Sequence, residues 1–362
     1  MRSSTITDAP APAPPAAIAP FAVPLGDPAG IGPEIVAKSW VMRQARALPS
    51  FFAVGDAASL RAVWAGPIEL VGSSEEAAAA FDRALPCLQV ADAGTVVPGT
   101  PDTDGARTAL QSLEVAVGLA RLGSAGGIVT APVSKAQLYG VGFTHPGQTE
   151  FVAERCGVSP DNAVMMLAGP SLRVVPITIH IPLAQVPMAL TIDLIRARAV
   201  TTARGLQRNF GIARPRLAVA GLNPHAGESG ALGREEIEVI APAIESLRAD
   251  GLDIVGPLPA DGMFHFRARE TYDAALCMYH DQALVPIKTL YFDEGVNMTL
   301  GLPIVRTSPD HGTAFGIAGT NSANPGAMMA AIRMAAEAAR ARLAHAGQSA
   351  LPPPPSGQPQ PG

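Results

Sequence analysis

Three histidines follow apolar, strand-like runs. His180 closes VVPITIH, His225 follows LAVAGLNP, and His280 closes AALCMYH. In open α/β sheets, ligands collect outside the carboxyl ends of the strands. Three imidazoles at three such ends can converge on one divalent ion and leave a coordination position open. That donor set suits zinc-like ions better than magnesium, which prefers oxygen. The alternative is three separate hydrogen-bonded residues at strand ends, and the discontinuous spacing does not decide between them. His265, in GMFHFRA, reads as a surface or interface residue, and His345, in a C-terminal helix, as a solvent-facing one.

A second group lies in KTLYFDEGVNMTLGLPIVRTSPDHGTAF, where Lys288, Asn297 and Arg306 are spread around Gly-rich turns. Two cations and an amide suit a substrate carrying a phosphate and a carboxylate, although ordinary surface charge has the same composition. Asp261, in PLPADG, and Asp281, beside His280, are carboxylates that could orient a ligand, move a proton or simply cap a turn. In FTHPGQTEF, Gln148, Thr149 and Glu150 follow a Pro-Gly turn and precede a helical stretch. They either cap that helix or face a ligand. GDPAGIGPEI lacks the third glycine of GxGxxG, and the chain has no GKS or GKT. It reads as a tight turn that packs strand on helix rather than as a phosphate loop.

These residues need a frame. FAVPLG, FFAVGD, GGIVTAP, LRVVPITIH, RPRLAVAG and YDAALCMY read as strands, with the last running into a loop at His280. Helical stretches alternate with them: one from Pro33, ARTALQSLEVAVGLARLG, REEIEVIAPAIESLRADG and a long final NPGAMMAAIRMAAEAARARLA. Such alternation with continuous apolar strands predicts an α/β fold on a buried, largely parallel sheet. The length, 362 residues, suits one large or two ordinary domains. The net charge of −5, with no basic stripe, excludes a general nucleic-acid surface. No apolar run is long enough to span a membrane. Cys87, Cys156 and Cys277 are few and far apart, which argues against a disulfide framework and fits a cytoplasmic setting. Residues 1–20 and 346–362 are Ala/Pro-rich and Pro-rich, and read as disordered tails.

Taken together, GDPAGIGPEI, VTAPVSK, GQTEF, GLNPHAGESGALGREE, GPLPAD, MYHDQALVPIK and GVNMTLGLPIVRTSPDHGTAF resemble the 4-hydroxythreonine-4-phosphate dehydrogenases of pyridoxal phosphate biosynthesis. The resemblance covers all but the tails. It implies two α/β/α domains with a central cleft, as in isopropylmalate and isocitrate dehydrogenases. The first domain would comprise 21–133 and 289–345 and carry the cofactor segment. The second, 134–288, would carry metal, substrate and dimer-interface residues.

By position, the resemblance makes His180, His225 and His280 the metal ligands. It assigns the substrate to Gln148, Thr149, Lys288, Asn297 and Arg306. HGTAFGIAGTNSANPGA would lie around the adenosine of the cofactor, which brings in His311, Gly312, Thr313 and Asn324. Asp261, Asp281, Lys288 and metal-bound water are the candidates for proton transfer.

The implied reaction uses NAD or NADP and one divalent ion (zinc, magnesium or cobalt). It oxidises 4-hydroxythreonine 4-phosphate, a small phosphorylated hydroxy-amino acid, and then decarboxylates it to 3-amino-2-oxopropyl phosphate on the way to pyridoxine 5′-phosphate. The implied assembly is a homodimer with the metal site completed across subunits. Two departures stand out: Gln148 replaces the family's histidine, and Gly262 replaces the usual threonine of PADT. Gln148 cannot carry an imidazolium charge, so His145 is a candidate to compensate. The change also raises two alternatives: a related dehydrogenase for threonate or erythronate 4-phosphate, or a ligand-binding homologue without catalysis.

Overall fold

Strands that are apolar on both faces need cover on both sides, and here helices supply it. The computed structural model describes residues 18–349. Its strands, in chain order, are β1 (Phe21–Pro24), β2 (Phe51–Gly55), β3 (Ile68–Leu70), β4 (Leu85–Gln89), β5 (Ile128–Val129), β6 (Val164–Gly169), β7 (Leu172–Pro176), β8 (Arg216–Ala220), β9 (Asp253–Leu258), β10 (Ala274–Cys277), β11 (Val296–Leu300) and β12 (Arg306–Pro309). They form one 12-stranded sheet in the order β3-β4-β2-β1-β5-β12-β11-β6-β7-β10-β8-β9. Every residue of β1, β2 and β10 is buried.

The α/β class is as the sequence predicts, but the sheet is mixed at its centre. Pairs on either side are parallel, whereas β12–β11, β11–β6 and β6–β7 are antiparallel. The connections explain the pairs β6–β7 and β11–β12. Only Pro170 and Ser171 separate β6 from β7, and only residues 301–305 separate β11 from β12. Links that short cannot make the crossover that parallel neighbours require.

The helix Thr103–Arg121 packs on β1 and β2, and the helix Gly326–Ser349 packs on β12 and against Ile192–Phe210. Asp102 and Thr191 begin two of these helices by accepting from the backbone N–H of Gly105 and Leu194. The GDPAGIGPEI turn packs as expected. A Cβ on Gly26 would stand 2.1 Å from the Pro132 carbonyl oxygen, and one on Gly32 would stand 2.1 Å from that of Leu25.

Three local expectations change. β7 ends at Pro176, so His180 sits in a turn beyond the strand, at φ 47°. His280 opens the helix His280–Tyr291 rather than a loop. Pro20 is buried and accepts from the Gly126 N–H, and the last helix runs on to Ser349, so ordered structure extends past both expected tail boundaries. Residues 1–17 and 350–362 of those expected tails lie outside the described residues.

Candidate active site

The carboxyl ends of β5 and β12, the start of the helix Gln148–Arg155 and one face of His280–Tyr291 enclose a cavity of about 480 Å³. Gln148, Thr149, His180, His280, Lys288, Asn297, Arg306, His311 and Gly312 all line it.

Arg306 forms its floor and is 4% exposed. One guanidinium nitrogen donates to the hydroxyls of Thr149 (3.1 Å) and Thr299 (2.9 Å), and the other donates to Thr130 (3.0 Å). No carboxylate lies within ion-pair distance among the described residues, and Nε has no partner. Burial pushes the guanidinium down to about 10, opposed by the nearby Glu150. A buried cation held only by neutral hydroxyls is poised for an anion, because charge-assisted bonds to an oxyanion are about twice as strong as neutral ones.

The helix at Gln148 begins without a side-chain cap, so its first N–H groups are open to the cavity. That removes the capping account of FTHPGQTEF. Thr149 accepts from Arg306, and the Gln148 amide donates to the Ala131 carbonyl at 3.3 Å. Asn297, on β11, has a buried Oδ1 without a partner. Lys288 Nζ pairs with Asp310 at 3.0 Å. His145 turns away: its Nε2 meets Glu154 at 2.6 Å and its ring packs between Phe143 and Phe151. It does not take the place of a histidine at position 148.

The His180 and His280 rings stand 5.6 Å apart, centroid to centroid. Burial lowers the His180 pKa, as do Lys135 and His280, with Glu150 opposing. A neutral imidazole is the form that ligates metal. His280 Nδ1 lies 2.7 Å from Asp281 Oδ1, a contact that fixes the ring.

His225 is elsewhere. It is exposed, is not among the residues lining the cavity, and sits in a run of left-handed backbone from His225 to Ser229. Glu236 accepts from the Asn223 N–H at 2.7 Å and anchors this loop, which packs against the turn carrying Asp261. His225 and Asp261 therefore belong to a separate exposed patch. Among the described residues, no group of three metal-capable side chains converges. The two neighbouring imidazoles are of a ligand type that divalent ions take, and among the described residues no third metal-capable side chain joins them.

The expected cofactor segment is fastened at both ends. Thr313 accepts from the Ile31 N–H at 3.0 Å, which ties the segment to the GDPAGIGPEI turn. Asn324 lies outside the cavity lining, and its Oδ1 accepts from the Gly326 N–H at the start of the last helix. Sequence reasoning missed the second fastening. Lys38 Nζ donates to Glu34 Oε1, Asn321 O and Ala323 O, each at 2.8 Å. Glu34, itself buried, also accepts from the Ala323 N–H. The i,i+4 spacing of Glu34 and Lys38 was legible, but the turn they grip was not. Thr130, Thr299 and Lys135, all near the cation cluster, were also missed. Isolated threonines in strands carry no signal of such a role.

An α/β sheet with a cavity and a buried guanidinium at its carboxyl edge is the arrangement in which enzymes of this class place their sites. The family model described as pyridoxal phosphate biosynthetic protein PdxA matches residues 46–335. A Zymomonas mobilis protein named 4-hydroxythreonine-4-phosphate dehydrogenase is 58% identical over 330 residues, covering 91% of this chain and 98% of its own. The crystal structure of the Klebsiella pneumoniae enzyme of the same name is 37% identical, with a TM-score of 0.80 over 89% of this chain and 99% of that one. A terephthalate 1,2-cis-dihydrodiol dehydrogenase from Burkholderia xenovorans is 30% identical, with a TM-score of 0.61 over 89% and 98%. The chain belongs to the PdxA family of pyridoxal phosphate biosynthetic proteins, and it is an oxidoreductase.

Proposed function

We propose that the chain oxidises 4-hydroxythreonine 4-phosphate with NAD or NADP and releases CO2 to give 3-amino-2-oxopropyl phosphate. The observation that carries this reading is Arg306, a buried cation on the floor of the cavity that has no ion-pair partner among the described residues. Arg306, the Thr149 hydroxyl and the open helix start would bind one anionic end of the substrate. Lys288 and Asn297 would bind the other. Of Asp261, Asp281 and Lys288, Lys288 is the one lining this cavity, so it takes the proton-transfer role, with Asp281 orienting His280.

His180 and His280 would hold the divalent ion, and His225 of a second copy would complete the set. Zinc, magnesium and cobalt are the candidates, and such an ion supplies the charge that acidifies an alcohol and stabilises an enolate. The proposed homodimer is supported by apolar side chains left outside. Leu183 and Met188 near His180 are 65% and 87% exposed, and Leu232 and Ile237 lie beyond His225. The nicotinamide cofactor would run along 311–324 from His311 and Gly312. The lobes 21–133 with 289–345, and 134–288, would flank the cavity, whose lining comes from both. Three free cysteines, two of them buried, support a cytoplasmic setting. No helix among the described residues is long and apolar enough to cross a membrane.

Gln148 favours one second reading, oxidation of threonate or erythronate 4-phosphate. The Burkholderia relative shows that this fold also occurs in a dehydrogenase named for a different substrate. A panel of the three phosphorylated substrates, followed by reduced-nicotinamide absorbance with metal-free and reconstituted protein, tests both. The expected result is the highest kcat/KM on 4-hydroxythreonine 4-phosphate and loss of turnover without metal. Equal turnover of metal-free protein, or a preference for threonate 4-phosphate, contradicts the main reading.

A further inference from the structure

The opposite edge of the sheet carries a second cavity, of about 520 Å³. Residues that precede β1, β5 and β12 line it, whereas residues that follow β5 and β12 line the active site. Two guanidiniums from different helices meet in its wall. Arg342 donates to Pro303 O at 2.7 Å and Leu302 O at 3.4 Å. Arg208 reaches the same two carbonyls, at 3.2 Å and 3.3 Å.

Two like charges are thus held around one pair of acceptors. No Asp or Glu lines the cavity, and neither arginine has a carboxylate partner among the described residues. This is unusual in a chain whose net charge is −5. Burial and the neighbouring Arg208 together push Arg342 down to about 9. A guanidinium has five N–H donors. Arg342 directs one each at Asn209, Pro303 and Leu302, and Arg208 directs two at the carbonyls, so both keep donors for a ligand.

We infer that this cavity is a second ligand site, which takes a small molecule through a phosphate or carboxylate group held between Arg208 and Arg342. An oxyanion there offsets the repulsion of the two cations and meets the fork geometry of both. The site has a physical route to the first. Leu302 and Pro303, gripped by both arginines, lead through Ile304 and Val305 into Arg306 on the active-site floor.

The test uses the full-length protein. Crystals grown without sulfate or phosphate are soaked in selenate, and anomalous density is sought between the two guanidiniums. In parallel, wild type and Arg208→Gln are titrated calorimetrically with inorganic phosphate and, separately, with citrate. Arg208 is the residue to change because it is exposed, whereas Arg342 also holds the buried Asn209. The expected result is a selenate peak at this position. At least one of the two anions should also bind about tenfold more weakly to Arg208→Gln, the loss of one charge-assisted contact, while turnover stays at the wild-type level. The stronger arm, phosphate or citrate, identifies the headgroup. Absence of the peak overturns the inference. So does a peak accompanied by unchanged titrations, which would mark an adventitious ion only.

Discussion

The floor of the active-site cavity and the His225 loop were built by the same fold, yet one is finished and the other is not. Around Arg306 of β12, Thr299 of β11, Thr149 of the Gln148 helix and Thr130, just past β5, close on one guanidinium within a single chain. Around His225, an exposed left-handed loop and the Asp261 turn present polar groups to nothing in their own chain's cavity. The difference separates two tasks. On the proposed reading, one chain would recognise the anion by itself, whereas the metal site would need His225 from whatever covers that surface.

The largest expected effect falls on the finished region. Arg306→Met removes the fork and leaves Thr130, Thr149 and Thr299 without their donor. We expect kcat/KM to fall by about a hundredfold or more, in line with the loss of two charge-assisted bonds. Steady-state kinetics with a far-UV dichroism control checks this, and a loss confined to folding would blur the contrast. Lys38→Met acts at the far end of the cofactor segment. It should raise KM for the nicotinamide cofactor about tenfold and barely move KM for the phosphorylated substrate. If both constants rise together, the clamp is merely structural. The smallest effect belongs to Gln148→His. An imidazolium at the open helix start should lower KM for the phosphorylated substrate about threefold, below the ordinary histidine pKa, and the gain should vanish as pH rises above it. A pH-independent KM would rule out a charge effect at this position.

Much of this was legible in the residues. Apolar strands alternating with amphipathic helices specified the α/β frame, and the glycines of GDPAGIGPEI specified a turn with no room for a Cβ. Lys288, Asn297 and Arg306 were recognisable as a set because all three come from one stretch, and β11 and β12 then bring Asn297 and Arg306 to the same wall. His180, His225 and His280 each follow an apolar run, so the sequence ranks them alike. The turn after β7 and the start of a helix after β10 bring two of them together, while five consecutive residues at positive φ carry the third outward. The contact of Glu236 on Asn223 that anchors this loop joins residues distant along the chain, and local sequence does not encode it. The same holds for the threonines under Arg306, which come from three separate segments.

On the proposed reading, His180 and His280 of one chain act with His225 of another. Mixing His180→Ala and His225→Ala proteins, each inactive alone, after dissociation and reassociation tests it directly. If the site is shared, half of the randomly formed dimers are mixed and each carries one intact site. Activity should then return to roughly a quarter of the wild-type level. If the three histidines act within one chain, no mixed dimer holds an intact set, and activity no greater than the sum of the two separate variants would contradict the account.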